Sequence, residues 1–399
     1  MKTNHKTDVL IVGAGPTGLT AAVCLSMGGF RVRVVDRGPG PVQESYATIL
    51  HPATLEILGR LGLLEPLLAE GHRINRVVVR DALRVHAVAD LSVVDGPYPF
   101  ALSLPQARLE QALSTVLRQM HVPIHWNRDL IELHAEPGGV KATVVEMQEI
   151  AQGYAVSGMR RVAGSEDHVE ASYVIGADGI NSTVRRLMGF AVENRRGGHT
   201  HALYEFETRD PILDEILMIV GESGRSSLIP VGTKRARWTF ELAEDEAAEP
   251  TAEGLRGMLT SRGIGLWPQI EKLHWTDQMV FGEWFATEFA RGRVWLCGDA
   301  AHQVGPFAAQ SMNAGIAEAA HVASLLAELA ADGDPGGAAR AYDADRRAHW
   351  RGFLADAAWG LVPGAEEPWV RAHRHTITGC LPVSGRSLEM VVQGMMAVV

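Results

Sequence analysis

Apolar positions along this chain fall in short blocks whose spacing changes from element to element. Val9-Leu10-Ile11-Val12 is apolar at every position, the pattern of a parallel strand buried on both faces. A helix is predicted from about Pro16 to Met27, and a second strand, Val32 to Val35, ends on Asp36. Pro52–Leu61 carries Leu and Ile at core spacing behind an early proline and predicts a helix, as does Leu104–Leu113. From Ile74 to about Val94, valine alternates with charge, the signature of strands. Short strands are expected at Ile124–Trp126 and from Leu130 to Leu133. A β-meander follows at Val140–Val145, Tyr154–Ser157 and Val169–Ile175. Residues from about 190 to 285 are strand-rich, with Tyr204–Glu207, Leu217–Val220 and Ala236–Leu242, and a helix over 250–262. Arg293–Cys297 is a strand, and an Ala-rich helix runs from about Ser311 to Ala331. An Asp/Gly-rich flexible break is expected over 330–340.

Strands suited to one parallel sheet are therefore scattered, at 8–36, near 170–176 and at 293–297, with antiparallel interludes between them. This predicts an α/β, Rossmann-like nucleotide domain built from residues 1–73, 101–186 and 286–364. A second, antiparallel-sheet domain grows from its crossovers at 74–100 and 187–285. Residues 365–399, with Val391-Val392-Gln393-Gly394-Met395-Met396, form an apolar tail placed to pack on the body or on a partner subunit.

Composition narrows the picture. A length of 399 residues suits two domains, and 46% hydrophobic with 21% charged residues describes an ordinary globular protein. The net charge of −10 argues against nucleic acid or an anionic membrane as partner. No apolar run approaches the roughly 20 residues that span a bilayer, and the polar start Met1–Lys6 reads as no signal peptide. Cys24, Cys297 and Cys380 are far apart and without C-x-x-C spacing, which suits a reducing cytoplasm.

Gly13, Gly15 and Gly18 lie at G-x-G-x-x-G spacing between the first strand and the first helix. Asp36 closes the second strand eighteen residues beyond Gly18. Gly13 allows the tight turn, Gly15 a close pyrophosphate, and Gly18 close packing of helix on strand. The N–H groups from Thr17 and Gly18 onward, behind Pro16 at the helix start, offer a positive helix end to phosphates, and Asp36, next to Arg37, offers a carboxylate to ribose hydroxyls. His199-x-His201 and His373-x-His375 would each share a face if on strands, but no third ligand accompanies them, so no metal site is assigned.

Four ordered blocks resemble the p-hydroxybenzoate-hydroxylase-like (group A) FAD-dependent aromatic monooxygenases over about the first 350 residues. They are Gly13-x-Gly15-x-x-Gly18; Leu104-Pro105-Gln106-Ala107-Arg108; Gly176-Ala177-Asp178-Gly179 with Asn181-Ser182-x-x-Arg185; and Arg293 to His302 with Pro306-Phe307. The resemblance implies an FAD-binding fold with an interleaved substrate-binding sheet. It implies a cytoplasmic oxidoreductase that takes electrons from NADPH or NADH and, through a flavin C4a-hydroperoxide formed with O2, hydroxylates a phenolic or polycyclic aromatic substrate. It further implies FAD contacts from Gly298-Asp299 (ribityl hydroxyls), Gln106 (ribityl or phosphate), Leu130 (adenine, by its backbone), Asp178 and Tyr46. The backbone of Pro306 and Ala309, with Gln310, Ser311, Met312 and Asn313, falls at the flavin edge. Arg185 is a candidate for phosphate or carboxylate, and His302 for a loop hydrogen-bond donor. The implied assembly is a monomer or homodimer.

This chain departs from the family pattern in several places. Ala309 and Ser311 replace glycines, Tyr46 stands where many relatives carry arginine, and Glu318-Ala319 replaces Asp-Ala. A positive φ at Ala309 or Ser311 would cost of order 1 kcal/mol. These departures leave open a scaffold that binds flavin or ligand without turnover. The same fold also serves epoxidation, Baeyer–Villiger insertion and decarboxylative oxidation, while no Trp-x-Trp-x-Ile-Pro stretch supports halogenation. Tyr204, Phe206, Arg225 and Trp238 are substrate candidates by position in the second domain's sheet.

Overall fold

The first strand, Thr3–Val12, sits inside a parallel array. Its neighbours are Gly158–Gly176 on one side and Val32–Val35 on the other, in registers that pair Val12 with both Gly176 and Val35. Val294–Leu296 extends the array beyond Gly158–Gly176, and Ile124–His125 extends it beyond Val32–Val35. Val9, Leu10 and Ile11 are fully buried, as an all-apolar central strand requires. In this computed structural model, residues 3–42, 47–152, 158–232, 234–265, 268–329, 333–354 and 368–397 are described.

Helix Pro16–Met27 covers one face of the array and packs against helices Gln106–Gln119 and Gln310–Leu329. Glycine makes this possible at two points. Gly13 has φ +108°, and a Cβ there would fall 2.1 Å from the Ala177 carbonyl oxygen. A Cβ on Gly18 would fall 2.0 Å from the Gly13 carbonyl oxygen. The first helix and the ends of two strands are thus nested at backbone contact.

A second sheet of nine strands runs in the order His302–Gln303, Ile270–Ala286, Val192–Thr208, Arg235–Glu241, Gly224–Pro230, Glu215–Gly221, Arg76–Arg80, Val85–Asp90 and Met396–Ala397. All neighbours are antiparallel except Glu215–Gly221 with Arg76–Arg80. Strand alternation gives this sheet two apolar faces. Tyr204, Phe206, Trp238 and Phe240 pack under helix Ala252–Ser261. Ile216, Met218, Val220 and Ile229 pack on the other face with Phe307 and the C-terminal Val370, Ile377, Leu381, Leu388 and Val391. The tail is therefore part of the second core. No described helix is long and apolar enough to cross a membrane.

Two expectations are corrected. In place of separate short strands, Gly139–Gln152 and Gly158–Gly176 form one long hairpin, continuing well beyond the apolar residues. Backbone pairing carries these strands through polar positions that hydropathy alone reads as turns; Tyr154–Ser157 lie outside the described residues. The expected break over 330–340 is helix from Pro335, which begins Pro335–Leu354. Proline fits the first turn of a helix, and Asp334 accepts from the Gly336 N–H at 2.9 Å.

The nesting at Gly18 yields a prediction. Gly18→Ala forces a Cβ into the Gly13 carbonyl and is expected to destabilise the fold by about 3 kcal/mol, read as a lower denaturant midpoint. Gly15→Ala, where a Cβ meets nothing within 4 Å, is expected to leave the midpoint of the flavin-free protein within about 0.5 kcal/mol of the parent. Equal midpoints for the two variants would contradict the packing role.

Candidate functional site

A groove opens at the carboxyl ends of the parallel strands, in two connected parts. The first, about 420 Å³, is lined by Gly13, Gly15, Asp36, Arg37, Gln106, Leu130 and Asp178 among others. The second, about 230 Å³, is lined by Pro16, Thr17, Asp299, Pro306, Ala309, Ser311 and Met312 among others. Gly15, Gln106, Ala177 and Gly179 line both parts, so the groove runs past the start of the first helix. The space in front of Gly15 is open, leaving its backbone accessible to a phosphate group.

The acids of the groove differ in state. Asp36 accepts from the Ala14 and Gly38 N–H groups, both at 2.6 Å, and each oxygen keeps lone pairs for a ribose hydroxyl. Asp178 accepts from Ser182 Oγ at 2.5 Å and from the Thr183 and Val184 N–H groups at 2.6 and 3.2 Å, capping helix Thr183–Leu187. Burial pushes the Asp178 carboxyl up, and these donors oppose the shift. Asp299 has no hydrogen bond among the described residues, and burial pushes its carboxyl up, with the nearby Glu318 adding to the effect against His302. Its carboxylate faces the groove lacking a donor, as a ligand rich in hydroxyls would supply.

Glu318 lies buried behind that turn. It accepts from the Gly298 N–H and from His302 Nε2, both at 2.9 Å, and from Trp350 Nε1 at 3.2 Å. Burial alone would raise its carboxyl, but the His302 imidazole and the Gly298 N–H overcome this and hold it below the ordinary range. His302 stacks on Trp350 with centroids 3.9 Å apart, so it braces the turn.

At the other end of the groove, Ala309 adopts the left-handed conformation, φ +51° and ψ +34°. Two side chains hold it there. Asn313 Nδ2 donates to the Ala309 carbonyl at 2.8 Å and to Ile49 at 2.8 Å. Burial pushes His51 down to about 4, so its ring is neutral and Nε2 donates to the Ala308 carbonyl at 2.7 Å. Ser311 sits inside the first turn of helix Gln310–Leu329, where its Oγ accepts from the Val304 N–H at 3.0 Å. The other site residues expected from sequence are placed as follows. Gln310 and Asn313 point away from the groove; Gln310 Nε2 donates to Leu381 and Val383 at 2.6 and 3.1 Å. Gly298, at φ +63°, lies behind Asp299. Tyr46 lies outside the described residues.

Several placements differ from expectation. Arg185 donates to the Ala300 and Ile180 carbonyls, both at 2.7 Å, lies over Trp284, and feels the nearby Asp178 carboxylate. Tyr204, Phe206 and Trp238 are buried on the sheet face under helix Ala252–Ser261, away from the Pro306–Ala309 turn; Phe206 and Trp238 line a separate cavity of about 490 Å³, and Tyr204 Oη donates to the Glu249 carbonyl at 2.8 Å. The alternation of β side chains sends them there, and position along the sheet could not reveal which parity faces the groove. Arg225 alone of the four turns toward that turn, with Cζ 4.9 Å from the Phe307 ring centroid. His199 and His201 neighbour Glu241 and Phe307, and no group of three or more His, Cys, Asp or Glu suited to a metal occurs among the described residues. Sequence reasoning did not single out Phe281, Gln303 or Glu110, which also line the groove; only the parity of their elements could have found them.

Glu110 generates a pH prediction. Burial, with a smaller push from Asp36, raises its carboxyl to about 7, against hydrogen bonds from Gln106 and the Val42 N–H. The folded chain holds a proton that the unfolded chain releases near 4.5, so stability falls as pH rises from about 4.5 to about 7 and is level above that. Glu110→Gln is expected to abolish this decline, on the order of 3 kcal/mol, and to be more stable than the parent at pH 8 but not at pH 4. Urea unfolding of the flavin-free protein measures it; a pH-independent difference between the two proteins would contradict the shift.

Residues 6–357 match a family model described as an FAD binding domain. The 6-methylpretetramide 4-monooxygenase of Streptomyces rimosus is 31% identical over 334 residues, 81% of this chain and 56% of that one. Pentachlorophenol 4-monooxygenase of Sphingobium chlorophenolicum is 26% identical over 78% of this chain and 56% of its own length. This chain thus spans little more than half the length of these relatives. In fold it is similar to the crystal structure of p-nitrophenol 4-monooxygenase from Pseudomonas putida, with TM-score 0.75, 22% identity, and coverage of 98% of this chain and 96% of that one. The anhydrotetracycline hydroxylase of Streptomyces rimosus gives TM-score 0.69 at 25% identity, over 98% of this chain and 75% of that one. With the glycine turn, the groove and the Asp299 turn in these positions, the chain belongs to the FAD-binding family of the p-hydroxybenzoate-hydroxylase-like (group A) monooxygenases.

Proposed function

We propose that this protein is an FAD-dependent monooxygenase that uses NADPH or NADH and O2 to hydroxylate a phenolic or polycyclic aromatic substrate, working as a monomer or homodimer in the cytoplasm. The observation that carries the reading is Asp299, a carboxylate that faces the groove without a partner among the described residues. The three cysteines are free, which suits a reducing compartment. The reading assigns FAD to residues 1–73, 101–186 and 286–364, the substrate to the sheet of 74–100 and 187–285, and a covering role to the tail, 365–399.

The open approach to Gly15, the two-part groove and Asp299, without a hydrogen-bond partner among the described residues, fit FAD. When bound, FAD supplies two-electron redox chemistry and O2 activation. Gly13, Gly15, Pro16, Thr17 and Gly18 form the pyrophosphate turn, with Asp36 and Arg37 at the ribose and Leu130 at the adenine. Gln106 spans the middle of the groove, and Gly298-Asp299 takes the ribityl chain. Asp178 acts through the turn it caps. Pro306, Ala309, Ser311 and Met312 wall the flavin end, while Gln310 and Asn313 hold that wall from behind. The amino end of helix Gln310–Leu329 contributes a positive dipole there, which favours negative charge on a reduced ring. Ala309 retains the left-handed turn despite its Cβ, at a cost of about 1 kcal/mol that the His51 and Asn313 hydrogen bonds offset. Both replaced glycines are thereby accommodated, which favours turnover over a scaffold role. Epoxidation or Baeyer–Villiger chemistry would use the same groove with a different substrate.

Asp299→Ala is expected to weaken FAD binding about tenfold or more, because a charge-assisted hydrogen bond is lost. It is not expected to lower the stability of the flavin-free protein, since a partly buried acid with no donor among the described residues is removed. Fluorescence titration with FAD, beside thermal melts of the flavin-free forms, measures both; an unchanged dissociation constant would contradict the role of Asp299.

A further inference from the structure

A cavity of about 490 Å³ opens on the second sheet and shares no lining residue with the groove. Its floor follows from strand register. Val78 is paired with Leu217, Leu217 with Leu228, and Leu228 with Trp238, directly across four neighbouring strands. Residues paired in this way point to the same side of a sheet, so the four form one apolar row. Their neighbours in sequence, Val77, Ile216, Met218 and Ile229, point to the other side and pack with Phe307 and the tail. The sheet therefore stands between this cavity and the Pro306–Ala309 turn.

Helix Ala252–Ser261 packs over the part of this face around Phe240 and Ile219, but Val78, Leu217 and Leu228 stay half-buried. Leu213, in the cavity wall, is 59% exposed. The two ends of the cavity carry opposite charge. At one end Arg80 donates to the Asp81 and Ala82 carbonyls at 2.9 and 3.2 Å, and it meets no carboxylate among the described residues. At the other end lies Asp210. Its donors, Thr208 Oγ1 at 3.1 Å and the Gln269 N–H at 2.8 Å, both fall on Oδ2, and Oδ1 has none among the described residues. Glu215, at this same end, is paired with Arg76 at 3.1 Å. Arg76 is the register partner of Glu215 and lies four residues before Arg80 on one strand, which sets the two ends about 13 Å apart.

We propose that this cavity is a binding site for an elongated aromatic anion. The acidic group lies at Arg80, the flat apolar body on the row of Val78, Leu217, Leu228 and Trp238, and a hydroxyl or amino donor at the far end, toward Asp210. The volume is that of a small-molecule site, and an apolar lining with a few polar groups at its ends is the composition of such sites. A guanidinium without a carboxylate partner favours an anion, and an aromatic body gains from the Trp238 and Phe206 rings. Covering the half-buried row also removes apolar surface from water. Because the sheet separates this ligand from the groove, it is an effector and not a reacting substrate. The inference does not depend on the hydroxylase reading.

The test titrates 6-hydroxy-2-naphthoate into the protein by calorimetry, after incubation with FAD and without NADPH or NADH, with 2-naphthol as a probe that lacks the acid. The parent is expected to bind 6-hydroxy-2-naphthoate at a site that Leu217→Glu abolishes, by placing a like charge in the floor, and that Arg80→Gln weakens about tenfold. For 2-naphthol, the parent and Arg80→Gln are expected to agree within about twofold, because no acid meets Arg80. Where Leu217→Glu lowers the melting temperature, the two probes on Arg80→Gln decide alone. Equal affinity for 6-hydroxy-2-naphthoate in the parent and Arg80→Gln, or no binding to the parent, overturns the site. Protein that takes up no FAD is expected to give the same titrations, so a failure of the hydroxylase reading is told apart from a failure of this one.

Discussion

The groove depends on backbone segments crossing at van der Waals contact where the parallel strands end. Gly13 lies against Ala177, Gly18 against Gly13, and Gly315 against both Thr17 and Gly298. A Cβ at Gly315 would fall 2.4 Å from Thr17 Oγ1 and 2.8 Å from the Gly298 Cα. Because these contacts are made by backbone and by one small hydroxyl side chain, no rotamer change can relieve an added methyl group. The first helix, the Asp178 turn and the Asp299 turn are consequently fixed relative to one another, and the groove they bound has one shape. A pre-shaped groove loses little ordering entropy on binding a long, flexible dinucleotide.

The electrostatics follow from that nesting. Two acids flank one turn, Glu318 buried behind it and Asp299 partly buried at the groove, and they are treated oppositely. Glu318 receives three donors, from Gly298, His302 and Trp350, and is held ionised; Asp299 receives none among the described residues and is pushed up. An acid satisfied by the protein serves the fold, whereas an acid left for a ligand serves binding. At the other end, the strained Ala309 is held by neutral hydrogen bonds from His51 and Asn313, so the turn is fixed without placing a charge beside the groove. Gln310 ties this same turn to Leu381 and Val383, which couples this end of the groove to the tail.

Much of this was legible in the sequence. The first strand, the first helix and the strand ending at Asp36 stand where apolar runs and glycine spacing placed them, because local patterning and tertiary packing agree there. The Asp299 turn was equally readable as a strand followed by Gly-Asp. What was not legible depends on parity and on distant partners. Tyr204, Phe206 and Trp238 turned out to face the helix Ala252–Ser261 because a shift of one residue selects the other side of a sheet. The duties of Arg185 and Gln310 are to carbonyls 115 and 71 residues away, which no local pattern encodes. The tail read as an apolar end placed to pack on the body or on a partner subunit; which sheet face it covers depends on partners distant in sequence.

The central claim is that the groove between Gly15 and Ala309 holds FAD, and the most direct measurement is the visible absorption spectrum of the purified protein with the released cofactor identified after denaturation. The account predicts a flavin band and close to one FAD per chain, either as purified or after incubation with FAD. A protein without the band that also refuses added FAD would contradict it.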